Sequence, residues 1–135
     1  MARSVELQIQ QAVCDYVRFK YPKVRFISDL SGLKLSMGLA KKVKYLKSHR
    51  GCPDIIILKP NQDYCGLFIE LKTSIEEVMT KSGTLKKDKH IEEQANFQHY
   101  LNENGYFATW GFGFDHACEV IDNYLAKPKS KRKDG

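Results

Sequence analysis

No stretch of this 135-residue chain approaches the roughly 18 consecutive apolar residues of a membrane-spanning helix. The opening "MARSVELQIQ" lacks the apolar run of a secretory signal. Both absences lead to the expectation of an intracellular protein with no membrane partner. Cysteine is scarce, with only Cys14, Cys52, Cys65 and Cys118. None forms a Cys-x-x-Cys pair, so the tight ligand spacing of a structural zinc site is missing. The four histidines are scattered and give no ligand pair at helical spacing. Small buried thiols in a reducing compartment are the expectation for the cysteines. No internal repeat is visible, and no motif for reading base edges is present.

Acid is missing from residues 30–53, which carry Lys34, Lys41, Lys42, Lys44, Lys47 and Arg50. The last nine residues, "KPKSKRKDG", hold five basic groups and one acid. With a net charge of +6 overall, the rest of the chain is acidic. Basic charge is therefore gathered in two places, as in proteins that meet a polyanion. A solvated tail and a solvated helix face would give the same pattern.

The length suits one domain with a single core, over residues 1–126, followed by a basic flexible tail at 127–135. Residues 4–20 predict an amphipathic helix, with Val5, Ile9, Ala12, Val13, Tyr16 and Val17 at helical spacing and Ser4 as N-cap. A short strand is expected at 24–28. A helix over 33–48 would carry an apolar stripe (Leu35, Leu39, Val43, Leu46) and a basic stripe (Lys41, Lys44, Lys47). "PDIIIL" (53–58) and "LFIELK" (67–72) read as strands. The intervening turn residues make them an antiparallel hairpin. Residues 73–88 read as a mobile loop after a short helical turn. A helix at 89–104 stops at Gly105, a strand follows at 106–112, and a helix at 114–125 closes the chain. The order is that of a mixed α/β domain.

Within the hairpin, Glu70 and Lys72 stand on one face, because side chains at i and i+2 point the same way. Antiparallel geometry brings the start of one strand beside the end of the other, roughly 4.8 Å away. Asp54 and Glu70 can thus meet at one end of the sheet, with Lys72 just beyond. Two converging carboxylates repel, and a hard cation such as Mg²⁺ resolves the conflict. A divalent ion and an ammonium suit phosphodiester hydrolysis, the lysine stabilising charge that develops on phosphorus oxygens. A surface ion pair between Glu70 and Lys72, with Asp54 capping a turn, would use the same residues. Three features favour the first reading. Gly51 lets the backbone come close to the site. Gln94 sits in line with Ile91, Phe97 and Leu101, in the middle of an apolar stripe. Glu6 lies at the edge of the first helix's apolar stripe and can reach inward as a further acid. A satisfied core amide and a rim residue are the plainer accounts of Gln94 and Glu6.

Taken together, "GCPDIIIL", "GLFIELK", "EEQANFQHYLNENGYFATWGF" and "DHACEVIDNYL" resemble the PD-(D/E)XK nuclease superfamily, and its VRR-NUC branch in particular. The resemblance spans most of the chain between Glu6 and Leu125. It implies a restriction-endonuclease-like α/β core, a mixed β-sheet with a central hairpin flanked by helices. It implies Asp54 and Glu70 as metal ligands with the Leu71 carbonyl beside them, Lys72 as catalytic lysine, Gln94 as the helix-borne glutamine and Glu6 as the helix acid. It further implies Mg²⁺ or Mn²⁺ as cofactor and DNA as substrate. A homodimer acting on branched DNA, in the cytoplasm of a bacterium or a phage-infected host, would be typical of stand-alone members. Lys41, Lys44, Lys47 and Arg50 would then hold phosphates, and the loop from Lys81 to Lys89, with Lys86 and Lys87, would clamp the substrate. A non-catalytic nucleic-acid-binding module, or a nuclease for simple duplex, single-stranded DNA or RNA, are the competing expectations.

Overall fold

A computed structural model describes residues 5–29 and 36–127. Ser4, Lys34, Leu35 and the tail beyond Lys127, all named above, lie outside the described residues. Among the described residues four α-helices and four strands follow one another: α1 (Val5–Lys20), β1 (Phe26–Ser28), α2 (Met37–Tyr45), β2 (Ile55–Ile57), β3 (Leu67–Lys72), α3 (Lys89–Glu103), β4 (Phe107–Phe112) and α4 (Gly113–Ala126). None of these helices is long and apolar enough to cross a membrane.

The strands form one sheet in the order β1-β2-β3-β4. β2 and β3 pair antiparallel, with Ile55 opposite Ile69 and Ile57 opposite Leu67, as the hairpin pattern predicts. β4 pairs parallel to β3, with Glu70 beside Trp110 and Lys72 beside Phe112. A parallel neighbour needs a long crossover, and α3 supplies it.

The two faces of β3 have different tasks. Leu67, Ile69 and Leu71 enter a core with Val13, Cys14 and Val17 of α1 and Ala117, Ile121 and Tyr124 of α4. This apolar burial is the main force holding α1 and α4 to the sheet. The alternate positions, Phe68, Glu70 and Lys72, point to the other face. There α3 crosses, and Gln94 reaches Glu70. The Asp88 carboxylate caps α3 by accepting from the N–H groups of His90 (2.9 Å) and Ile91 (3.1 Å).

Three expectations need correction. Residues 73–88 are not a loose loop. A 3₁₀ turn at Ile75–Glu77 leads into a tight reversal, closed by Thr80 N–H to Thr84 O (2.8 Å) and Lys86 N–H to Val78 O (2.8 Å). Val78 anchors it, with no exposed surface. The second helix, α2, is shorter than 33–48 and ends at Tyr45. Of its apolar stripe, Leu39 and the following Leu46 are exposed rather than core. On α3, the inner face runs through Ile91, Gln98 and Leu101, with Gln94 half-buried between them. Phe97 lies off that line and is half-exposed.

Candidate active site

At the end of the hairpin, extension of the β2–β3 register sets Asp54 opposite Glu70. Glu6, in the first turn of α1, comes in from the helix. Oxygen atoms of Glu6, Asp54 and Glu70 all lie within 4.8 Å of one another. Asp54 and Glu70 are 5% and 3% exposed. Burying carboxylates this deeply costs free energy unless they are paired or bind a cation.

Each carboxylate is held from behind. Asp54 Oδ2 accepts the Leu71 N–H at 2.8 Å. Glu70 Oε1 accepts from the Gln94 amide at 2.5 Å. Glu70 Oε2 is buried and has no hydrogen-bond partner. An orphaned carboxylate oxygen beside two further carboxylates is a hard, anionic donor set, and it fits Mg²⁺ or Mn²⁺. Glu6, Asp54 and Glu70 would hold such an ion. Leu71 is at the site through its backbone, its N–H engaged by Asp54.

The electrostatics follow from this crowding. Burial lifts the Asp54 carboxyl from the ordinary 3.8 to about 6, with the Leu71 N–H working against the rise and the Glu6 charge adding to it. Burial, then the charge of Asp54, raises Glu70 well above the carboxylate range, while Lys72 opposes. Burial also raises Glu6; Lys72 offsets part of this and Glu77 reinforces it. Burial leads in all three, and the charge of Glu6 adds to the rise at Asp54 and at Glu70.

Lys72 is 9% exposed. Its ammonium lies 6.0 Å from the centre of the Trp110 ring, at the outer limit of a cation–π contact. Lys72 and Glu70 are both buried and, among the described residues, Lys72 is in no ion pair. A surface ion pair therefore does not describe them, and Asp54 does not cap a turn.

Gly51 does what its position suggests. Its φ is +87°, and an added Cβ would stand 2.6 Å from Glu93 O and 2.9 Å from Gln94 N. The loop carrying Asp54 is thereby pressed onto α3 next to Gln94. Lys41, Lys44, Arg50 and Lys87 are exposed and Lys86 half-exposed. Lys47 differs from its neighbours: its ammonium pairs with Asp29 at 2.6 Å.

Two contributors lay outside the sequence reading. Gln10, 5% exposed, donates to Ser28 Oγ (2.7 Å), Asp29 O (2.9 Å) and, more weakly, Asp54 O (3.5 Å). It sits one turn after Glu6 and ties α1 to the Asp54 loop. Trp110 is brought to Lys72 only by the parallel β3–β4 pairing. A polar residue in line with Val13 and Val17 was the available signal for Gln10; nothing local marked Trp110.

No family model matches the chain, and no curated protein does. Among solved structures, one described as "VRR_NUC domain protein" is similar, with a TM-score of 0.66 and 22% identity, over 96% of this chain and 94% of that one. The α/β architecture expected from the motifs, a mixed sheet with a central hairpin and flanking helices, is therefore the fold of this protein, and it is shared with a VRR_NUC domain protein.

Proposed function

We propose that the chain is a VRR-NUC nuclease that hydrolyses phosphodiester bonds in DNA with the help of Mg²⁺ or Mn²⁺. The observation that carries the reading is the Glu6–Asp54–Glu70 cluster, whose oxygens lie within 4.8 Å around the unpartnered Glu70 Oε2. A bound divalent ion supplies Lewis-acid polarisation of a phosphoryl oxygen and makes water more acidic.

The protein's own groups do the rest. Lys72, two residues beyond Glu70 on the same face, sets a fixed positive charge where negative charge builds on the phosphoryl oxygens. Its burial keeps water from screening that charge. Gln94 holds the Glu70 carboxylate in one orientation. Gln10 fixes the loop from which Asp54 projects. Lys41, Lys44, Arg50, Lys86 and Lys87 hold flanking phosphates, a sequence-independent contribution that positions the duplex. With no motif for reading base edges in a duplex groove, preference comes from the shape of the DNA, and branched substrates are the proposed targets. A homodimer accompanies this reading. It is supported by the apolar stripe of α2, where Leu39 and the adjoining Leu46 are exposed, since an amphipathic helix ordinarily buries its apolar face.

Purified protein with Mg²⁺ or Mn²⁺ is expected to cut a panel of four-way, flapped, duplex and single-stranded DNA, branched forms fastest. Lys72→Met, which keeps an unbranched side chain of similar length without the charge, is expected to fold and to lose cutting. Cutting by that variant at the wild-type rate, or salt-sensitive binding indifferent to chelator and without products, would overturn the assignment.

A further inference from the structure

On the outer side of α3, the helix that carries Gln94, a cavity of about 550 Å³ opens between the loop before Gly51 and the helix surface. Its walls include His49 and Arg50 from the loop and Glu93, Asn96, Phe97 and Tyr100 from α3. Tyr100 is 63% exposed, and Phe97 is half-exposed, so two aromatic rings face solvent on adjoining turns. Glu6, Asp54, Glu70 and Lys72 do not line the cavity; it is tied to the acidic site through the loop and helix that the two share. The same loop leads into Asp54, and Gly51 packs directly on Glu93 and Gln94. Tyr100 lies six residues after Gln94, ~9 Å along the helix axis.

We propose that this cavity receives one unstacked nucleobase from a nucleotide next to the cleaved phosphodiester, with Tyr100 as its stacking surface. The proposal rests on the nuclease reading above. Aromatic faces hold unpaired bases without regard to sequence. Asn96 and Glu93 offer an amide and a carboxylate of the kind that read base edges. The Glu93 carboxylate repels a phosphate, so the base is the part of a nucleotide that suits the interior. Arg50 and the basic residues before it in sequence suit the phosphates outside. The cavity also supplies a reason for preferring branched DNA: a branch point presents a base already unstacked, whereas a duplex has to be opened first.

The test compares two duplexes, one with a single unpaired nucleotide and one with an abasic residue at that place. Binding to the full chain is followed by fluorescence anisotropy with Ca²⁺ in place of Mg²⁺. The wild type is expected to favour the base over the abasic residue by about five- to a hundredfold. Tyr100→Phe is expected to keep that preference and Tyr100→Ala to lose it. Equal binding of the two DNAs by the wild type, or a preference that survives in Tyr100→Ala, overturns the base site and leaves the nuclease reading standing. No binding of either DNA overturns both.

Discussion

The buried acids make the metal-free protein less stable than it need be. Asp54 has its carboxyl raised from 3.8 to about 6, so the folded protein holds this proton more tightly than the unfolded chain does. Ionisation therefore opposes folding. The penalty is absent below pH 3.8, grows as pH rises through the interval, and is complete above about 6. The difference corresponds to about 3 kcal/mol at neutral pH. Asp54→Asn removes the charge, and its amide oxygen can still accept the Leu71 N–H. In chelator at pH 7.5 this variant is expected to melt above the wild type, by on the order of 10 °C for a chain of this length. The gap should shrink towards pH 4. Saturating Mn²⁺ should then raise the wild type, because a ligand bound only by the folded state stabilises it by about 2.7 kcal/mol at a hundred times its dissociation constant. The variant, lacking one acid, should respond far less. Differential scanning calorimetry across pH, with and without Mn²⁺, reads all of this. A variant that melts at or below the wild type in chelator, or a gap indifferent to pH, would refute the reasoning.

Other outcomes follow from the same geometry. Gly51→Ala forces a side chain into positive φ against the Glu93 carbonyl; a loss of at least ~2 kcal/mol is expected by urea denaturation, with slower DNA cutting as Gln94 shifts. Gln10→Leu removes the amide that donates to Ser28 Oγ and Asp29 O and is expected to cost about 1–3 kcal/mol by the same measurement. Lys44→Ala is expected to reduce the slope of log binding constant against log salt by about 0.9 on duplex DNA; an unchanged slope would remove Lys44 from the phosphate contacts.

The site was legible in sequence where its geometry is dictated by the backbone. Alternation along a strand places Glu70 with Lys72, and antiparallel pairing brings Asp54 to Glu70, whatever the remaining residues are. Gln94 was legible for a different reason, as a polar residue set among apolar ones at helical spacing. Gln10 carries that same mark, in phase with Val13 and Val17, and both glutamines prove to hold a segment of the candidate site in place. Their amides serve the carboxylate of Glu70 in one case and the backbone around Asp54 in the other.

What was illegible depends on partners that periodicity does not name. Phe97 and Gln98 are both compatible with a helix whose inner face starts at Ile91, and hydropathy favours the phenylalanine. The crossing of α3 over β4 selects Gln98 instead, and frees Phe97 for the cavity beside Tyr100. The apolar stripe of α2 reads as core by the same rule, yet Leu39 and the adjoining Leu46 remain exposed. Amphipathic spacing says that a face wants cover; it does not say that the cover comes from the same chain. Residues 73–88 fail in the opposite sense. Their Lys, Gly, Ser and Thr content suggests a loose loop, but Val78 is fully enclosed and backbone hydrogen bonds close the reversal around it. Composition counts side chains, whereas this segment is ordered by one buried apolar residue and by main-chain groups that every residue carries. Its order matters for the site, because the 3₁₀ turn that opens it sets Glu77 where its charge acts on Glu6. The segment after β3 thus adds negative potential at the cluster, and so strengthens the case for a cation there over three mutually repelling acids left to themselves.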